Sequence, residues 1–284
     1  MVARIAAVLA VLTAGAAPAQ DQSDPLTRPI AVERAQEWLA PRAPVRVFAN
    51  TYLVGFAGLS VALIDTGEGL ILIDGALPQA VPAILANVSS LGFRPRDIKY
   101  ILSTEPHGDH AGGLAALVRE TGATVIASLR GAEGLRTGRL AADDPQHAYD
   151  HRFPPVPTVR VVRDQEKLRL GNVAVTAHAT PGHTMGSMSW SWRSCASQRC
   201  RTIVFASSLN PGSADGYRYT ATSSRAIVRG FRRSHAAMER MACDILIAAH
   251  PVQEGFTRAP GACRAYASKS KRALATRFAE ESKM

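Results

Sequence analysis

The segment Ser103-Thr104-Glu105-Pro106-His107-Gly108-Asp109-His110 carries four side chains able to bind a metal, Glu105, His107, Asp109 and His110, within six positions. Carboxylate oxygen and imidazole nitrogen are ligands that a divalent cation such as zinc accepts. Pro106 and Gly108, set between them, suit a tight loop with exposed side chains. A plain helix start would use Asp109 as its N-cap. Capping needs one Asp, however, and accounts for neither histidine nor Glu105. Two further histidines stand in comparable places. His183 in Thr180-Pro181-Gly182-His183-Thr184 and His250 in Ala248-Ala249-His250-Pro251 each follow a strand-like run directly. Loops at strand ends are where catalytic groups collect, so three such ends together make a candidate metal site.

The elements that must position these residues follow from periodicity. Val45–Ala49, Thr51–Val54, Ser60–Thr66 and Leu70–Asp74 read as strands, the last two joined by a Gly67-Glu68-Gly69 turn. Apolar Val81, Ile84, Leu85 and Val88 recur at helical spacing within Gln79–Leu91. Tyr100–Ser103 reads as a buried strand, His110–Thr121 as a helix and Thr124–Ser128 as a strand. From Gly131 to Val159 periodicity is lost and a long loop is expected. Strands resume at Val159–Arg163, Lys167–Leu170 and Val173–Ala179. A hairpin follows, made by Ser187–Trp192 and Thr202–Ala206. The chain closes with a helix at Ser223–Met241, a strand at Asp244–Ala248 and a helix at about Gly261–Ser282. Hairpins followed by alternating helix and strand, twice over, predict an α/β (α+β) fold of two mixed halves packed sheet against sheet. Residues 20–44 read as an N-terminal arm and 45–284 as a single domain.

The 284 residues carry 33 Lys+Arg against 23 Asp+Glu, and 46% are hydrophobic, which excludes a disordered chain. A net charge of +10 raises the question of nucleic acid. The basic residues are scattered, with clusters only at Arg232-Arg233 and Lys269–Arg272, so solvated helix faces are expected and no nucleic-acid partner. Residues 1–19 have one positive charge (Arg4), an apolar run and a small-residue end at Ala17-Pro18-Ala19. This is the layout of a cleavable secretory signal, too short to span a bilayer. An exported, periplasmic protein with no membrane association after cleavage is expected. Export makes disulfides possible for Cys195, Cys200, Cys243 and Cys263. Four cysteines allow 3 connectivities, of which pairing near neighbours is the simplest; a four-cysteine zinc site lacks any close Cys-x-x-Cys pair.

With these residues in view, the sequence resembles the metallo-β-lactamase superfamily, whose signature is His-x-His-x-Asp-His with two later histidines. It resembles most the subclass B3 metallo-β-lactamases, through Leu70–Gly75, Glu105–Gly113, Thr180–Met188, Phe205–Asn210 and His250-Pro251. The signal segment and the Cys243–Cys263 spacing fit that subclass too. The resemblance implies a four-layer αβ/βα sandwich and two zinc ions per chain, one held by Glu105, His107 and His183 and the other by Asp109, His110 and His250. It implies hydrolysis of the amide bond of β-lactams by a metal-bound hydroxide that Asp109 orients, in a monomer acting on a small molecule. Ser208 aligns with a substrate-binding serine and Asn210 with a second. Many superfamily hydrolases place a metal-bridging Asp where this chain has Ser207-Ser208. Glu105 stands where the family has histidine and should dampen Lewis acidity at its metal, with a shift of preference toward harder ions. The rival readings are a lactonase or thioesterase of the same superfamily, or a member that binds metal without catalysis.

Other residues invite plainer roles. His147 and His151 are four apart but crowded by prolines, as in a lid-like loop. His178 reads as a structural neighbour of the site within a strand, and His235 as an exposed residue on a basic helix. Asp74, ending a strand beside the metal loop, suits a hydrogen bond to the ligands or a turn. Trp190 and Trp192 alternate on one strand and read as packing.

Overall fold

The computed structural model describes residues 24–251 and 255–283; the signal segment 1–19 lies outside the described residues. Four strands, β1 (Val45–Phe48), β2 (Thr51–Leu53), β3 (Ala62–Asp65) and β4 (Leu70–Ile73), form an antiparallel meander. Three more, β5 (Ile98–Leu102), β6 (Thr124–Ala127) and β7 (Val159–Val161), extend it in parallel to a 7-stranded sheet. The parallel steps require crossovers, supplied by α2 (Val81–Ser90), then α3 (Gly108–Ala111) with α4 (Leu114–Thr121), and α5 (Leu129–Thr137); the short α1 (Ala35–Trp38) lies in the arm. A 6-stranded sheet follows, from β8 (Lys167–Leu170), β9 (Val173–Ala179), β10 (Met188–Ala196), β11 (Arg199–Ala206), β12 (Ile245–Ala248) and β13 (Phe256–Thr257). It is covered by α6 (Arg225–Arg240) and α7 (Ala262–Glu281).

The four layers follow from side-chain alternation on strands buried on both faces. On β4, Leu70 and Leu72 pack under the helices of their own half, while Ile71 and Ile73 face the other sheet. The second sheet repeats this: Ile203 and Phe205 of β11 meet the first sheet, and Val204 and Ala206 lie under α7. Trp190 and Trp192, both buried, fill the space between the sheets as packing residues. Near-neighbour cysteines pair: Cys195–Cys200 at the hairpin end of β10 and β11, and Cys243–Cys263, which clips the strand β12 segment to the start of α7.

Two expectations are corrected. The stretch from Gly131 to Val159 is not all loop, since α5 runs from Leu129 to Thr137. Ser128 caps it by accepting from the Gly131 N–H, and Gly131 and Gly134, poor helix formers, sit on its buried face beside Ala132 and Leu135. Small residues allow close packing there while masking the hydrophobic period. His235 is not exposed; it is 3% accessible, because the face of α6 carrying Phe231, Ser234, His235 and Met238 packs inward.

At the end of α7 Glu281, 2% accessible, accepts the N–H of Tyr219 at 2.9 Å and of Thr220 at 2.8 Å. Tyr219 in turn donates its hydroxyl to Gly212 O at 3.1 Å. Nearer the site, His235 Nε2 donates to Ser270 Oγ at 2.7 Å, and Ser270 passes its own proton to the carbonyl of Leu209.

Burial, then the neighbouring Lys271, holds the His235 imidazole down at about 4, against the opposing pull of Glu239. The unfolded chain therefore takes up this proton first, so His235 contributes stability above pH 6.5 that is lost as pH falls towards 4. For metal-free protein, we expect His235→Gln to remove roughly 2–3 kcal/mol of the decline in unfolding free energy between those limits. Urea unfolding at several pH values checks this; parallel pH curves for variant and parent would refute it.

Candidate metal centre

All the candidate ligands stand where strands end at one edge of the sandwich: β4 runs into Asp74, β5 into residues 103–110, β11 into 207–210 and β12 into Ala249-His250. The first turn out of β5 is set by Asp74, which is fully buried in left-handed backbone, φ 65°. Its Oδ1 accepts the Thr104 N–H at 2.8 Å and its Oδ2 the Thr104 hydroxyl at 2.7 Å. Oδ2 also lies 3.3 Å from His110 Nδ1. A carboxylate with both oxygens so engaged fixes the start of the loop and the ring facing it. The His183 turn depends on Gly182, φ 143°, where a Cβ would come within 2.7 Å of the Phe231 ring.

Two groups of donors result: Glu105, His107 and His183, and Asp109, His110 and His250, with the donor atoms in each group within 4.8 Å of one another. Glu105 is 1% accessible. Its Oε2 accepts the Ser208 N–H at 3.1 Å and the Ser187 hydroxyl at 3.3 Å, while Oε1 is buried with no hydrogen-bond partner. Oε1 lies 3.2 Å from His110 Nε2 and 3.9 Å from His183 Nε2, so it stands between the two groups. His183 Nδ1 donates to Asn210 O at 2.9 Å, which leaves Nε2 without a proton, 3.3 Å from the Gln146 amide nitrogen and 3.2 Å from His107 Nδ1. His110 Nε2 and His250 Nε2 face each other at 3.1 Å. Asp109 Oδ2 reaches both, at 3.3 and 3.1 Å. His250 is the most open of the six and rests against the Trp38 ring at 5.3 Å.

Lone pairs aimed at one another across about 3 Å in a buried site need a cation between them. The same demand shows in the proton affinities. Burial alone would raise Asp109, yet the charge on His110 and the hydrogen bond from His250 hold it far below the carboxylate range. Burial would lower His110, but Asp109 and Glu105 push it up to about 10. His183, by contrast, is held down by burial. Orphaned Glu105 Oε1 and the mixed oxygen and nitrogen donors fit one or two divalent ions of the zinc type.

The donors open onto a cavity of about 470 Å³ whose wall includes Asn210, Trp38, Arg34, Leu140, Gln146 and Tyr149. Asn210 thus reaches the cavity. Ser208 is 1% accessible, with its Oγ lacking a partner and its N–H spent on Glu105. Ser207 is locked behind, bonded to Thr180 at 2.8 Å. His178 bonds Ser191 and Gln165, neither of them a candidate ligand. His151 stacks on Tyr149 at the cavity wall, in keeping with a loop that covers the site. Sequence reading passed over Asp144, whose Oδ2 is 3.0 Å from His107 Nε2, and the arm residues Arg34 and Trp38. The paired Asp143-Asp144 before a proline in an aperiodic stretch was the available signal.

The family model of the metallo-beta-lactamase superfamily matches residues 46–195. Among solved structures, a B3 metallo-β-lactamase with an active-site glutamic acid is 66% identical, covers 91% of this chain and 98% of its own, and superposes with a TM-score of 0.89. The Rm3 metallo-β-lactamase is 40% identical over 89% of this chain and 100% of its own, with a TM-score of 0.85. A hydroxyacylglutathione hydrolase of Methylococcus capsulatus is 31% identical over 134 residues, 47% of this chain, and the match spans 44% of that relative's length.

The tightest structural demand at the site is on Asp74. Asp74→Ala leaves the Thr104 N–H and hydroxyl unanswered and puts alanine in left-handed backbone; it should cost about 3–5 kcal/mol in urea unfolding. Asp74→Asn tolerates the backbone but offers one acceptor oxygen, so about half that loss is expected. Equal stability of all three proteins would contradict this account.

Proposed function

The chain belongs to the metallo-β-lactamase superfamily, and we propose that within it this protein is a zinc-dependent β-lactamase of the B3 kind, hydrolysing the amide bond of β-lactam antibiotics. The observation that carries the reading is the pair of donor groups around Glu105, in a chain 66% identical to a B3 metallo-β-lactamase with a glutamic acid in its active site. Glu105, His107 and His183 would hold one zinc ion, and Asp109, His110 and His250 a second. Bound zinc supplies Lewis acidity, bringing the pKa of a water to about 7 and polarising the lactam carbonyl.

The chain's own residues do the rest. Asp109, whose Oδ2 lies 3.1 Å from His250 Nε2, would accept a hydrogen bond from the attacking water and orient it. Asn210 at the cavity wall, with Ser208 beneath it, binds the substrate carboxylate. Trp38 and Leu140 shield the cavity from bulk water. Neither serine of the loop is cast as a nucleophile: the Ser207 hydroxyl is engaged by Thr180, and Ser208 is buried against Glu105. The signal-like segment 1–19 supports a periplasmic location, and among the described residues no helix is long and apolar enough to cross a membrane. A monomer acting on a small molecule completes the reading.

Residues 20–284 should hydrolyse a chromogenic cephalosporin with added zinc, lose that turnover in chelator and regain it when zinc is restored. Absence of turnover with two zinc ions bound would sink the lactamase reading. Thioester hydrolysis in its place would favour the activity named for the Methylococcus relative. At the first zinc, exchanging an anion for a neutral nitrogen donor should matter directly. Glu105→His is expected to raise zinc affinity at that site by about tenfold, read by competition with a chromophoric chelator. Unchanged affinity would remove Glu105 from the ligand set.

A further inference from the structure

The loop between α5 and β7 makes one contact that the metal groups alone do not explain. Asp144 is a carboxylate only 4% accessible, yet no arginine or lysine pairs with it among the described residues. Its Oδ2 lies 3.0 Å from His107 Nε2, and its Oδ1 accepts the Gln146 N–H at 2.8 Å. The surrounding loop is stitched down on both sides. Asp144 N donates to Ala141 O at 3.0 Å, His147 N to Asp144 O at 3.0 Å, and Ala214 N to Pro145 O at 3.0 Å. Asp144 is therefore held in place by its own backbone, and its side chain faces the ring.

An ionised carboxylate only accepts, so a ring nitrogen bonded to it must carry the proton. That makes His107 an Nε2–H imidazole with a bare Nδ1, the atom that stands 3.2 Å from the unprotonated Nε2 of His183. The backbone carbonyl of Asn210 does the same for His183 from the opposite side. We propose that Asp144 is a positioning residue for the first metal site, fixing the tautomer and rotation of His107 so that Nδ1 is presented to a metal shared with Glu105 and His183. The proposal rests on the metal-ligand reading of His107 given above. It assigns to the covering loop a task beyond walling the cavity: part of the first site's affinity is carried by a residue 37 positions along the chain from its ligand.

Asparagine separates this role from a merely structural one. It has the shape of Asp144 but one acceptor oxygen, so it can serve the Gln146 N–H or the His107 N–H, not both. Turned to keep the loop, it presents an NH₂ to the ring and favours the opposite tautomer, with a proton on the atom that should bind metal. Zinc is titrated into metal-free wild type and Asp144→Asn against a chromophoric chelator, and the two site affinities are resolved. We expect the first-site affinity to fall 10- to 100-fold with the second unchanged and with the thermal midpoint of the metal-free protein preserved. Independently of any variant, the imidazole ¹⁵N resonances of zinc-loaded wild type should show His107 protonated at Nε2 and not at Nδ1. Two zinc ions in wild type with unchanged first-site affinity in Asp144→Asn overturns the proposal alone, as does the opposite tautomer in the wild type. Wild type that takes up fewer than two zinc ions overturns the ligand set and the proposal with it.

Discussion

Donor atoms that converge in a buried space repel one another unless positive charge lies among them, and the architecture around this cavity holds that unfavourable arrangement in place. Three of the donors are pinned by a bond on the far side. Glu105 is gripped at Oε2 by Ser208 N–H and Ser187, His183 at Nδ1 by the Asn210 carbonyl, and His107 at Nε2 by Asp144. His110 faces Asp74. The free atoms are what remains after these bonds are made. Both sheets are needed for this, since the pins come from loops that leave β4, β9, β11 and α5, elements that meet only because Ile71, Ile73, Trp190 and Phe205 close the space between the sheets.

The candidate ligands stand out in the sequence because four of them are closely spaced and the two later histidines lie in the loops just after apolar strands. The layers were readable from continuous apolar runs such as Leu70–Ile73, which mark strands buried on both faces. What escaped is information held in packing. Asp144 stands in an aperiodic stretch, and nothing local shows that it returns to His107. His235 looks exposed among the arginines of α6, and its contact with Ser270 of α7 shows that it lies inside. The helix α5 is hidden by its own glycines, which serve packing at the expense of propensity. Ser208 illustrates a different limit. Family resemblance gave its side chain a substrate role, whereas the bond the structure displays is made by its backbone, to Glu105.

Glu105 and Ser207 are best understood together. Superfamily sites with histidine first in the motif and a bridging Asp after the strand that corresponds to β11 hold two carboxylates at the site. Here that position carries Ser207-Ser208; the Ser207 hydroxyl joins Thr180 and Ser189 in a neutral buried cluster, and Glu105 supplies a second carboxylate besides Asp109. An anion placed on Glu105 lies 3.9 Å from His183 but also 3.2 Å from His110, so it acts on both donor groups although it is counted in one.

Glu281, near the end of the chain, is buried and tethers the backbone of Tyr219 and Thr220. Tyr219 holds Gly212, and Gly212 lies in the same loop as Asn210. The last turn of α7 is thus a keystone for one wall of the cavity. The shape of that wall is set by a residue 71 positions along the chain from Asn210, so the end of α7 belongs to the same mechanical unit as the loop it braces.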